Sequence, residues 1–264
     1  MVRSPLGSAF GFPLAIFLVA AYGWRMSFFV IAALNLLLVV PLVLMFVKDW
    51  PPGAAHEHQT HHKNMAEFMA DVGLIFRDWK FWMVTICQSG GLVYLWGLNS
   101  WLPTYLTNVR HFDLRQLGIF ASLPFVAMFI GQLGGAYISD KLGRRAIVCF
   151  IGLAGAGLMM YLASATVDPH LAAIYLALSA GCWGVFPPAI FALAIQIIPK
   201  RATSTGIGVC NGIGNLIGAC APLVMGALMA RFGNFEAGLM VLVGAGAIGA
   251  CAMVPLMSSD RIKE

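Results

Sequence analysis

Charge is what this chain has least of. Of its 264 residues only 10% are Asp, Glu, Lys or Arg while 60% are hydrophobic, a balance that excludes a water-soluble domain of this length. The shortage is concentrated. Eight runs, 5 to 22, 26 to 47, 81 to 106, 116 to 139, 146 to 167, 171 to 198, 206 to 230 and 237 to 257, contain no Asp, Glu, Lys, Arg or His. Each is long enough for a helix to cross a bilayer, so the chain reads as a polytopic membrane protein.

Other absences exclude further classes. There is no nucleophile motif, no phosphate loop, and no acid, base or histidine inside a membrane run, which argues against an enzyme. The six cysteines, at 87, 149, 182, 210, 220 and 251, fall inside apolar runs without a Cys-x-x-Cys pair and read as small buried residues. His56, His58, His61 and His62 invite a metal reading, but no cysteine or spaced carboxylate set accompanies them, so they read as a flexible solvated loop. Neither a metal nor a cofactor is expected. The net charge of +5 comes from short basic clusters between apolar runs, with no basic helix or aromatic nucleic-acid motif. Membrane topology explains it better than nucleic acid does.

What is present centres on Gly134-Gly135-Ala136-Tyr137-Ile138-Ser139-Asp140-Lys141-Leu142-Gly143-Arg144-Arg145, a charged hairpin between two uncharged runs. Gly143 allows the backbone to reverse, the small residues allow a neighbouring helix to approach, and the three cations favour the cytoplasmic side. The hairpin resembles the small-x-x-x-Asp-Lys/Arg-x-Gly-Arg-Arg loop that major facilitator transporters carry between the second and third helices of each six-helix half. The family's leading glycine falls on Ala136, with Gly135 one residue earlier. The resemblance implies that Asp140, with Lys141, Gly143, Arg144 and Arg145, helps hold one end of a carrier shut beside another helix's N-terminus. A carboxylate there is stabilised by roughly 0.3 to 1 kcal/mol. The alternative is that Asp140 and its basic neighbours merely solvate a loop.

Taken in order, the first two runs meet at Gly23-Trp24-Arg25-x-x-Phe28, which resembles the junction of the fifth and sixth helices of these transporters. A signal peptide is the alternative for the first run, but the second follows with almost no spacer. Residues 48 to 80 are the one long polar stretch. Within it Met65, Phe68, Met69, Val72 and Phe76 recur at helical spacing opposite Glu67 and Asp71, predicting a helix on the membrane surface, followed by Trp79 and Trp82 as anchors. Eight spans put both ends on one side. Placing the ends and the long loop in the cytoplasm puts Arg3, Lys48, Lys63, Arg77, Lys80, Lys141, Arg144, Arg145, Lys200, Arg201, Arg261 and Lys263 inside, against Arg25, Arg110, Arg115 and Arg231 outside.

The expected fold is therefore all-α, a polytopic bundle of eight transmembrane helices in a cytoplasmic membrane. It resembles helices five to twelve of a twelve-helix major facilitator transporter, lacking the first four. In those terms 1–47 are the last two helices of the N-terminal bundle, 48–80 a cytoplasmic linker, 81–257 the C-terminal six-helix bundle and 258–264 a cytoplasmic tail.

Two polar faces are candidates for a site. Gln88 and Asn99 are eleven residues apart, about three helical turns, and share a face with Gly91, Leu92 and Leu95, flanked by Trp96 and Ser100. Gly208, Asn211, Asn215, Gly218 and Pro222 form a second narrow face; cavity lining and helix packing are both open readings of these amides. Trp183, Pro187 and Pro188 sit mid-run, where two missing donors predict a bend. Trp101-Leu102-Pro103-Thr104-Tyr105-Leu106 and Gly206-x-Gly208-x-x-Asn211-x-x-Gly214-Asn215-x-x-Gly218-x-x-x-Pro222 are similar to patterns of the anion:cation symporter family. That resemblance implies a carrier of small organic anions such as sugar acids or aromatic carboxylates, coupled to protons. It also implies that Gln88, Asn99, Asn211 and Asn215 touch a hydroxylated carboxylate. The competing readings are a membrane scaffold or binding subunit without transport and, third, a membrane enzyme. If the chain is a fragment, the missing N-terminal helices are a partner, as is the lipid bilayer.

Overall fold

The computed structural model describes residues 3–46 and 64–258. The four clustered histidines lie outside the described residues, as does most of the tail. All regular elements among the described residues are helical, as a hydrocarbon solvent requires of uncharged runs that must satisfy their own backbone polar groups.

Helix α1 (Arg3–Leu34) carries the first run and the start of the second, and α2 (Val40–Phe46) follows through a π turn. Between the two runs the helix breaks at Gly23, with φ 80° and ψ 162°, a conformation open to a residue without Cβ. The predicted junction is thus a true break. Next comes α3 (Met65–Phe76), followed by α4 (Trp79–Thr104), α5 (Leu114–Leu142), α6 (Arg145–Ala165) and α7 (Pro169–Ile197). The run 206 to 230 forms two helices, α8 (Thr203–Ala219) and α9 (Ala221–Phe232), divided at Cys220; Pro222 lies in the first turn of α9, where a missing N–H costs nothing. Last is α10 (Glu236–Cys251). Among the described residues, seven helical segments, from Ala21–Phe46 to Glu236–Leu256, are long and apolar enough to cross a membrane. The remaining run, 5 to 22, is the arm of α1 before Gly23.

Polar residues mark where spans begin and end. Asp78 caps α4 by accepting from the Lys80 amide at 2.9 Å, and Asp113 and Gln116 form a reciprocal capping box at α5. Asp168 caps α7, with Pro169 in the first turn. It accepts backbone hydrogen bonds from Leu171 and His170, which hold its carboxyl below the ordinary range. The hairpin ends α5 at Gly143, whose φ of 63° is left-handed.

The spans pack through small residues. Helix α7 lies between α5 and α6, α4 packs on α8 and α10, α10 on α6, and α1 on α5. A Cβ on Gly135 would lie 2.5 Å from the Val185 Cα, and one on Gly131 or Gly184 would collide with backbone of the facing helix. The backbones of α5 and α7 are therefore in direct contact, which is where helix association in lipid finds its dispersion energy. Ala21–Phe46 differs: none of its most apolar window is buried.

Two expectations change. Asp71 does not face water opposite an apolar stripe: it is 5% exposed, and its carboxylate lies 3.5 Å from Arg201 Nε. The face of α3 turned to the protein carries Asp71 and Ile75, while Met65 and Met69 point outward. An ion pair thus outcompetes the amphipathic stripe. Cys220 and Cys251 are exposed rather than buried, unlike Cys87, Cys149 and Cys210.

Candidate functional site

Helix α4 is the hub, and its glycines show what lies on each side. Gly90 and Gly97 face α10, where added Cβ atoms would sit 2.5 Å from the Ala245 carbonyl and from Leu242. Gly91 faces α7: Phe186 fills the space its side chain would take, and the Trp183 indole donates to the Gly91 carbonyl at 2.7 Å. Leu92 and Trp96 face α8, where Cβ atoms on Gly214 and Gly218 would come within 2.9 and 2.7 Å of them. At about 100° per residue, Gln88, Leu95 and Asn99 share the sector between the α7 and α8 contact lines. The face picked out by the sequence lies between the lines along which α7 and α8 meet α4.

Gln88 and Asn211, 123 residues apart, meet there: Gln88 Nε2 donates to Asn211 Oδ1 at 3.3 Å. Both lie about 12 to 14 Å along their helices from Trp79 and Thr203, close to the middle of a hydrocarbon core about 30 Å thick. Gln88 is 4% exposed, and its Oε1 is buried without a partner among the described residues. An unmatched buried acceptor costs about 1–3 kcal/mol. Rotating both amides exchanges their roles, but the pair still leaves one carbonyl and one amino group to be satisfied.

The other two candidates are placed differently. Asn215 uses both ends of its amide, Oδ1 accepting from the Trp96 indole at 3.2 Å and Nδ2 donating to the Asn211 carbonyl at 2.9 Å. It props the α4–α8 seam beside Asn211. Asn99 is half-buried, further along the α4 face, about 30 Å from Trp79.

The hairpin residues also separate. Asp140 is exposed and makes no ion pair among the described residues. Lys141 lies over the Tyr137 ring at 5.9 Å. Arg145 donates to the Ala192 carbonyl at 2.7 Å, binding the hairpin to the last turns of α7, while the Arg144 and Arg145 Nε atoms are buried without partners among the described residues. Sequence reading grouped these as one gating loop; the tie to α7 was invisible in it.

Two further features were missed. Tyr94 and Ser179 share a 2.7 Å hydrogen bond, and Ser179 donates to the Ala156 carbonyl, joining α4, α7 and α6. Gln132, on α5, is also deeply buried with Oε1 unpartnered among the described residues. An isolated Ser or Gln in an apolar run gives no signal of its partner.

A family model for the Major Facilitator Superfamily matches residues 3–222. The chain is 30% identical to the "Probable sulfoacetate transporter SauU" of Cupriavidus necator, over 98% of this chain and 64% of that protein. It is 26% identical to the "Cis,cis-muconate transport protein" of Acinetobacter baylyi, over 92% of this chain and 59% of the relative. The chain thus spans about three fifths of the length of these curated relatives. Among solved structures, a bacterial homolog of the human lysosomal transporter Spinster, inward-facing and unoccupied, superposes with a TM-score of 0.69 at 17% identity, covering 97% of this chain and 70% of that one. These similar proteins are transporters, not enzymes.

Proposed function

This chain belongs to the Major Facilitator Superfamily, and from that premise we propose that it forms the larger part of a secondary transporter for small organic anions, working by alternating access. One observation carries the reading: an uncharged amide pair, Gln88 with Asn211, sits near mid-membrane with a buried acceptor unsatisfied. One open carbonyl and one open amino group complement a hydroxylated carboxylate, whose hydroxyl donates and whose carboxylate accepts. The names of the relatives, transporters of sulfoacetate and of cis,cis-muconate, support an organic anion. Asn99, about 16 Å further along the same face, would meet the anion at another point on its path, and Asn215 would act by holding α8 against α4 beside Asn211.

In this proposal 1–47 are the last two helices of the N-terminal bundle, 48–80 the linker, 81–257 the C-terminal bundle and 258–264 the tail, with both ends in the cytoplasm. Protons are the proposed coupling ion. The eight uncharged runs carry no Asp, Glu, Lys, Arg or His, so the groups that bind the proton and offset the anion's charge are assigned to the remainder of the complete carrier.

The test is uptake by the complete carrier with alanine at Gln88, Asn211 or Asn215. At the first two, losing a hydrogen bond to a charged ligand weakens apparent affinity by about 1.5–3 kcal/mol while the thermal transition holds. Asn215→Ala lowers the thermal transition as well. Unchanged affinity at Gln88 and Asn211 would sink the reading and leave the amides as helix-packing groups, which the use of both ends of Asn215 favours for that residue.

A further inference from the structure

A cavity lies about 10 Å or more along α4 from Gln88, at the end of the bundle that carries α3. It has a volume of about 400 Å³ and lies between α3, the start of α4 and the end of α7. Its walls are apolar, with Leu74, Ile75, Phe81 and Ile197 among them, and Arg77 and Asp78 stand at its polar edge. We propose that this cavity binds an anionic phospholipid from the adjacent leaflet, an acyl chain against the apolar walls and the phosphate on Arg77.

Four observations carry this. The cavity is at the right depth, because Trp79 lines it and is half exposed where the α4 span begins, and exposed tryptophans at the ends of spans sit at headgroup level. The cation is available: Arg77 is exposed and forms no ion pair among the described residues, while the carboxylate of neighbouring Asp78 is turned to the Lys80 amide. Lys80 and Lys200 directly follow the lining residues Trp79 and Pro199 in sequence, adding cations to this end of the bundle, where basic clusters attract anionic headgroups. Finally the wall is held in place, since the buried Asp71 pins α3 to Arg201 at 3.5 Å, with the Met65 and Met69 side of the helix turned outward. Away from the Arg77 and Asp78 edge the walls are apolar, where burying the polar groups of a metabolite would be costly; an acyl chain has none to bury.

The experiment uses the purified chain in nanodiscs of phosphatidylcholine mixed with phosphatidylglycerol, extracted gently into detergent and weighed by native mass spectrometry. The wild type should retain phosphatidylglycerol over phosphatidylcholine by about fivefold or more, the discrimination expected of one basic group at an anionic surface. Arg77→Gln should abolish the preference, and Leu74→Trp, which fills the cavity, should lower retention of both lipids. An unchanged thermal transition checks each variant's fold. Equal retention of the two lipids by the wild type, or a preference that survives Arg77→Gln, would overturn the proposal. So would displacement of the lipid by soluble glycerol phosphate, which would make the site one for a free organophosphate.

Discussion

Asp140 is charged, exposed and at the end of a span, and its surroundings separate two roles. In the hairpin, Arg145 already has a structural task, donating to the Ala192 carbonyl, whereas Asp140 has no partner among the described residues. A contact between Asp140 and a helix end would require the carrier to change shape. Asp140→Asn keeps the size and removes the charge, so in the complete carrier transport should fall while surface expression and thermal stability hold. The effect should correspond to roughly 0.3–1 kcal/mol of lost stabilisation of the closed form. Normal uptake at matched expression would leave Asp140 a solvated loop residue. Gln88 illustrates the opposite case, a polar side chain that is buried with its carbonyl unmatched among the described residues.

Between elements, the α5–α7 contact is the tightest and gives the sharpest test of packing. A Cβ on Gly184 would collide with the Met128 carbonyl, a backbone atom that cannot rotate away, whereas a Cβ on Gly134 meets nothing within 4 Å. Gly184→Ala should destabilise by about 1–3 kcal/mol or more through forced separation of the helices, and Gly134→Ala should be neutral or slightly stabilising. Thermal unfolding in detergent distinguishes them; equal effects would mean that α5 and α7 do not touch there. The start of α7 adds a dependence on pH. The Asp168 carboxyl is held low by the Leu171 and His170 amides. A depressed folded-state pKa contributes stability that is complete above the ordinary aspartate range and is lost as pH falls through the folded value. Asn caps equally well and does not titrate, so the stability difference between wild type and Asp168→Asn should favour wild type least at acid pH. A pH-independent difference would show that the cap is not titrating.

For the whole molecule, the distribution of charge and burial sets what these 264 residues can do alone. The eight uncharged runs hold no Asp, Glu, Lys, Arg or His, and none of the most apolar window of Ala21–Phe46 is buried. The chain should insert, because each run is apolar enough and the basic clusters bias its orientation. It should not catalyse gradient-driven uptake, because an anion at mid-membrane needs a compensating charge. Liposomes with an imposed proton gradient and labelled organic acids measure this, first with the chain alone and then with the N-terminal helices of a relative supplied as a separate polypeptide. Uptake should occur only in the second case. Robust uptake by the chain alone would require the charge to come from Arg25 or Arg115.

The sequence by itself determined what is decided within one run. The uncharged stretches marked where the apolar helices lie, although 5–22 is only an arm of α1 and 206–230 forms two helices. Gly23 and Gly143 set the breaks, because left-handed turns depend on residues a few positions apart. That Gln88 and Asn99 lie on one face of α4 was legible for the same reason, since they share a helical phase. Only the tertiary structure decided which groups meet. A run that is apolar all round carries no stripe to say which side faces a neighbour, so the Gln88–Asn211 pair, the Trp183–Gly91 hydrogen bond and the prop from Asn215 to Trp96 could not be read from it. Asp71 was read wrongly for a related reason. Its periodicity placed it toward water, but Arg201, 130 residues later and close in space, gave the carboxylate a partner inside the fold.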